Sequence, residues 1–283
     1  MKHITIICLL LGLVQLVRAQ EYKSELTIKS HITYEKKINI NNIVNSPLTE
    51  GMNCLFETLL NNEQFKETFK VLLYDTSRVN DLEFVVQEKL VYSDENGYSQ
   101  FAGGATGVGV NDNRTIIHLS ATTYKKSDNS FIKRKPLEFI KTFIYELYHA
   151  KIFEELLAEG IESSAFYDAE KVKEKMPNSN FIPYIEEYGD RWQQEYMAVH
   201  NRAGLASMIE ALDQQNPSLK EQFAQLLPDN DVSPYDMLSW IGLQGTKAYD
   251  KIEPQDKMKL YKLFANYMTK DLDKNCNLLR IRD

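Results

Sequence analysis

Apolar residues in the middle of the chain recur at intervals of three and four. Ile140, Phe143, Ile144, Leu147 and Ala150 fall on one side of a helix, which predicts a core-facing stripe. Pro136 suits the first turn of that helix and Gly160 suits its end, so the pattern predicts a helix over 136–159. Thr142, Tyr145, Glu146 and His149 line one edge of the stripe. Ahead of it, Leu48 to Leu73 has helical spacing broken at Asn61-Asn62, which predicts two short helices or one bent helix. Leu82 to Tyr92 is rich in β-formers and reads as one strand, closed by a turn at Ser93–Gly97. Thr115–Leu119 reads as a short buried strand. Between them, Gly103, Gly104, Gly107 and Gly109 have neither the Gly-Lys-Ser/Thr ending nor the helix start of a phosphate loop, and a glycine-rich edge strand or loop fits better.

After Gly160 the pattern is helical. A stripe of Trp192, Tyr196, Val199, Ala203 and Ala206 predicts one helix over 191–212. Asn216-Pro217 and Ser233-Pro234 each resemble a cap followed by proline at the first helical position, and a last helix is expected from about Pro254 to Leu272. The expected fold class is α+β, mostly α-helical, with a small antiparallel sheet preceding the 136–159 helix.

The N-terminus changes the setting. Lys2, the apolar run Ile4 to Val17 and the small residues flanking Arg18 form a signal peptide over residues 1–19, followed by an extended or disordered arm over 20–47 and a domain over 48–283. This implies a secreted or periplasmic protein with no integral membrane segment after cleavage. Cys54 and Cys276 survive processing and permit one disulfide. With 33 Lys and Arg against 40 Asp and Glu, the net charge of −7 argues against nucleic acid or an anionic membrane as the main partner and leaves a protein or peptide partner open.

The candidate chemistry lies at Tyr145-Glu-Leu-Tyr-His149. A zinc-site helix of the H-E-x-x-H type needs two histidines one turn apart on one face, with the intervening glutamate as general base on metal-bound water. Here Glu146 has the position of the base and His149 that of the second ligand, but Tyr145 replaces the first. A neutral phenol with a pKa of about 10 is a poor zinc ligand at neutral pH. Glu195 and His200 are the nearby candidates to complete a ligand set. Five positions turn a helix by about 140° beyond one revolution, so at most one of them faces His149. Glu195 is preferred, with a salt bridge to Arg191 or Arg202 as its structural alternative. His200 reads as a solvent-edge residue and His118 as a core histidine.

Three stretches carry a resemblance: Phe143-Ile-Tyr-Glu-Leu-Tyr-His-Ala150, Gln193-Gln-Glu-Tyr-Met-Ala198 and Leu238-Ser-Trp-Ile-Gly-Leu-Gln-Gly-Thr-Lys-Ala248. In order and spacing they resemble secreted bacterial zinc metallopeptidases of the zincin type. Members of that group show a full H-E-x-x-H helix, a later His-Glu-x-Met-Ala element and a C-terminal Trp-x-Gly-Leu-x-x-Thr segment. The resemblance implies a zincin-like fold over residues 49–270. It also implies that Tyr145 and Gln194 stand where active relatives have histidine, leaving His149 as a matching ligand and Glu146 as a matching base. The expectation is a zincin-like metallopeptidase homologue with a degraded metal site, catalytically weak or inactive, acting by binding. No cofactor is expected, or zinc if the site is functional. In this reading Tyr145 hydrogen-bonds to Gln194 or Glu195 across the former metal cavity. Two alternatives stay open: an active zinc-dependent metallopeptidase using Glu146 as general base, and a structural or adhesive secreted protein.

Overall fold

The computed structural model describes residues 28–32, 58–74, 81–87, 90–93, 99–102, 104–108, 114–125, 130–166, 168–213 and 219–269. The signal-peptide segment, Cys54, Cys276, most of the 93–97 turn, Asn216-Pro217 and the chain beyond 269 lie outside the described residues.

The short elements come first. Strand β1 (Ile28–Ile32) lies within the expected arm and pairs with the domain. Helices α1 (Glu63–Thr68) and α2 (Lys70–Tyr74) follow, with Asn62 capping α1 through its side chain, which accepts from Phe65 N. The Asn61-Asn62 signal therefore marks a helix start. The expected single strand over 82–92 is two strands, β2 (Asp81–Gln87) and β3 (Leu90–Ser93). They belong to different sheets: β3 pairs with β4 (Ser99–Ala102), while β2 joins the main sheet with β5 (Gly104–Val108) and β6 (Arg114–Ser120). A third pair is formed by β7 (Thr122–Lys125) and β8 (Ser130–Lys133).

The main sheet has the order β1-β2-β6-β5, so the glycine-rich strand is an edge strand, as expected. The sheet is mixed, which corrects the antiparallel expectation. Strands β2 and β6 run parallel, Phe84 opposite Ile117, whereas β1 and β5 run antiparallel to their neighbours. Strand propensity and turn signals report only neighbours in sequence, and a parallel pair is joined by a crossover that neither encodes.

Helix α3 (Pro136–Ala158) is the long helix predicted, ending at Gly160 with φ 73°. Its stripe Ile140, Phe143, Ile144, Leu147 and Ala150 is wholly buried between the sheet and the later helices. Each large apolar side chain buried there contributes roughly 1.5–3 kcal/mol. No side chain caps its first turn from position 135; instead Tyr267, from the last helix, accepts a hydrogen bond from Glu138 N at 3.2 Å.

Beyond it come α4 (Ala169–Lys175), α5 (Ile182–Tyr188), α6 (Trp192–His200), α7 (Arg202–Asp213), α8 (Leu219–Leu226), α9 (Pro234–Trp240), α10 (Lys247–Asp250) and α11 (Pro254–Thr269). Ser233 caps α9 with Pro234 at its first position, as its sequence implies. The single helix expected over 191–212 is broken at Asn201, and the break resets the helical phase. Val199 and Ala203 therefore face outward, while Gln193, Glu195, Met197, Leu205 and Met208 turn inward. Among the described residues no helix is long and apolar enough to cross a membrane.

Candidate functional site

The site forms where edge strand β5 crosses the middle of α3. Close approach is possible because residue 104 is glycine. A β-carbon there would lie 2.7 Å from Glu146 Cγ and 2.8 Å from Thr142 Cγ2. Two residues along the same strand, Thr106 Oγ1 lies 2.8 Å from Glu146 Oε2 and 3.0 Å from the main-chain oxygen of Glu146. Thr106 has one proton for these two acceptors. A protonated Glu146 satisfies both contacts, by donating to Thr106 Oγ1 while Thr106 donates to the carbonyl. Burial raises the Glu146 carboxyl to about 7, against the opposing pull of Thr106, Lys141 and Arg134. The predicted base is thus an acid that changes charge near neutrality, the range in which proton transfer is most useful.

Four ionisable side chains are buried together here: Arg134, Glu138, Lys141 and Glu146. Arg134 Nη1 donates to Thr142 Oγ1 at 2.9 Å, and Thr142 in turn donates to Glu138 O at 3.0 Å. Arg134 Nε and Glu138 Oε1 are 3.8 Å apart, a loose ion pair. Lys141 is 4 % exposed, and its Nζ lies 4.4 Å from the centre of the Tyr145 ring. Burial lowers Lys141 to about 8, with Glu146 and Glu138 pulling the other way. Lys141, Arg134 and Thr106 were not singled out from sequence. The one local signal is Lys141 itself, a single lysine inside the apolar run Phe139-Ile-Lys-Thr-Phe-Ile144.

His149 is buried three positions beyond Glu146. Its Nδ1–H donates to Gln193 Oε1 on α6 at 3.1 Å, and the Tyr145 ring meets it edge-on with centroids 5.0 Å apart. Burial lowers His149 to about 4, so the imidazole is neutral at pH 7. The residue of α6 that reaches His149 is therefore Gln193. Gln194, expected at the former ligand position, is half-buried with its Oε1 lacking a partner, so the expected bond from Tyr145 to that oxygen is not formed.

Glu195 is buried but engaged elsewhere. Both its oxygens accept from Lys247 N, at 2.9 and 3.0 Å, and Oε1 also accepts from Arg191 Nη2 at 3.2 Å. Two positions turn a helix by about 200°, so Gln193 and Glu195 face nearly opposite ways. Of the two expected metal residues, only His149 lies beside Glu146 and Tyr145. His200 is exposed and pairs with Tyr184 Oη at 2.8 Å. The donor set does not fit zinc. One imidazole is tied to an amide, Glu146 is held under β5 and Glu195 caps α10. No group of three His, Cys, Asp or Glu able to hold a metal occurs among the described residues.

The Leu238–Ala248 segment borders the same cluster. Trp240 ends α9 under the Arg202 guanidinium, 4.5 Å from its ring centre. Gly242 follows with φ 89°, a backbone conformation suited to glycine, and a β-carbon there would stand 3.4 Å from Lys141 Nζ. Leu243 is buried, and Thr246 caps α10 by accepting from Tyr249 N. Compared with known protein families, with curated proteins and with solved structures, the chain matches none.

Proposed function

We propose that this chain is a secreted zincin-like protein in which a protein-only polar cluster occupies the place of a metal centre, and that it acts by binding an extended peptide. The observation that carries this reading is the pairing of His149 with Gln193 on one side and the Tyr145 ring on the other. The position of the second ligand is thereby held by the fold itself. The peptide is argued from β5. This strand ends the sheet, and an edge strand offers main-chain groups to which an extended segment adds as a further strand. Thr106 joins that edge directly to Glu146.

The test is metal analysis of the purified mature protein, beside thermal unfolding with and without EDTA and a fluorescent casein-peptide binding and cleavage assay. The expected result is less than a tenth of an equivalent of zinc, an unchanged melting temperature with EDTA, and binding without cleavage. One equivalent of zinc retained through dialysis, with peptide hydrolysis, would overturn the reading. It would favour the metallopeptidase with Glu146, in its ionised form, as general base.

A further inference from the structure

Lys141 is unlike the other buried cations and anions of the cluster. Arg134 bonds Thr142 and approaches Glu138, and Glu146 bonds Thr106. Lys141 Nζ, by contrast, makes no hydrogen bond or ion pair with any described residue; its close neighbour is the face of the Tyr145 ring. An ammonium on a buried residue with no protein acceptor is costly, because it has lost most of its hydration and gained no oxygen in return. A β-carbon at Gly242, an exposed turn residue, would stand 3.4 Å from Nζ, so Nζ lies beneath a surface turn that carries no side chain.

We propose that Lys141, with the Tyr145 ring as one wall and the Gly242 turn as the other, is a binding site for a carboxylate of the peptide ligand. The inference rests on the peptide-binding reading only in taking the ligand to be a peptide. A carboxylate entering past Gly242 would give Nζ the acceptor it lacks, and the half-buried Tyr145 ring would shield the pair from water. The balance of charge agrees. Arg134 and Glu138 offset one another, and when Glu146 holds its proton Lys141 is left as the uncompensated charge. When Glu146 is ionised it competes with the incoming carboxylate for the same cation. Glycine at 242 then has two functions: it accommodates the positive φ and it keeps the entry open.

Two sources carry this chemistry, a peptide C-terminus and an acidic side chain. Three probes separate them: N-acetyl-Ala-Ala-Phe with a free C-terminus, the same peptide amidated, and amidated N-acetyl-Ala-Glu-Phe. Binding to the full mature protein is measured by calorimetry. At least one free-carboxylate probe is expected to bind ten-fold or more tighter than the neutral amide, and the probe that does so identifies the source. Lys141→Met, with its native circular dichroism verified, is expected to remove the preference. Lys141→Gln, which keeps a polar tip and removes the charge, is expected to do the same and decides the matter if Lys141→Met does not fold. Equal binding of all three probes, binding of none, or a preference that persists in either Lys141 variant overturns the proposal. Metal analysis decides the wider reading separately.

Discussion

The backbone of Gly104 and the side chain of Glu146 are in direct contact, so that a single added carbon on the strand would stand 2.7 Å from Cγ and 2.9 Å from Oε1 of the acid. Gly104→Ala must push β5 away from α3 or force Glu146 out of its position. Overpacking of this kind costs about 1–3 kcal/mol. Gly107, on the same strand, has nothing within 4 Å of its added carbon. Urea unfolding is expected to show the loss in Gly104→Ala, with Gly107→Ala within about 0.5 kcal/mol of the parent. Equal effects at both positions would contradict the close approach.

Glu146 and His149 oppose one another in the pH dependence of stability. Burial raises Glu146 from 4.5 to about 7, so its contribution is fully present below 4.5 and is lost as pH rises through 7. Burial lowers His149 from 6.5 to about 4, so its contribution is present above 6.5 and is lost as pH falls through 4. Each swing is on the order of 3 kcal/mol, and the two nearly cancel between about pH 4.5 and 6.5. Single variants uncover them. Unfolding free energy measured across this window should rise with pH in Glu146→Gln and fall with pH in His149→Asn. Parallel profiles in both variants would refute the assignment.

Glu195 belongs to the scaffold. Its carboxylate holds the first N–H of α10 and the Arg191 guanidinium from a buried position. Glu195→Ala leaves that N–H unmet and should lower stability by about 2 kcal/mol. Zinc uptake, measured by atomic absorption at equal protein concentration, should not change. A loss of bound zinc in this variant would return Glu195 to the list of metal ligands.

Tyr267 supports the site helix from the far end of the chain. Tyr267→Phe withdraws the acceptor from Glu138 N and is expected to cost about 1–2 kcal/mol in urea unfolding. Amide exchange at the start of α3 should accelerate more than exchange in its middle. Uniform acceleration along the helix would mean that the bond does not act as a cap.

The parts of this molecule that were legible in its sequence are those set by neighbours along the chain. Helix α3, strand β6, the glycine-rich edge strand and the Ser233 cap each follow from a local period or a local stop. The parallel register of β2 on β6 is set by residues distant in sequence, and no turn residue announces it. The break at Asn201 has neither proline nor glycine, so the stripe drawn through Tyr196 and Ala203 ran across it in a false phase. The site suffered from the same sensitivity. One position on a helix is about 100°, enough to exchange Gln194 for Gln193 in front of His149. A lysine in sequence signals a solvated position, whereas Lys141 is buried on a helix that is apolar nearly all round.

Strand β1 has a further consequence, for association. It covers the outer edge of β2, with Ile28 opposite Val86 and Ile32 opposite Leu82. Without it, β2 would present an open ladder of main-chain groups flanked by Leu82, Phe84 and Val86. A long apolar strand with an open edge is a template for the same strand in another copy. With β1 in place, the edge of the sheet is instead a shorter strand of five residues, a poorer template for self-association. Loss of β1 after proteolysis between it and α1 would expose that apolar edge without touching any residue of the site.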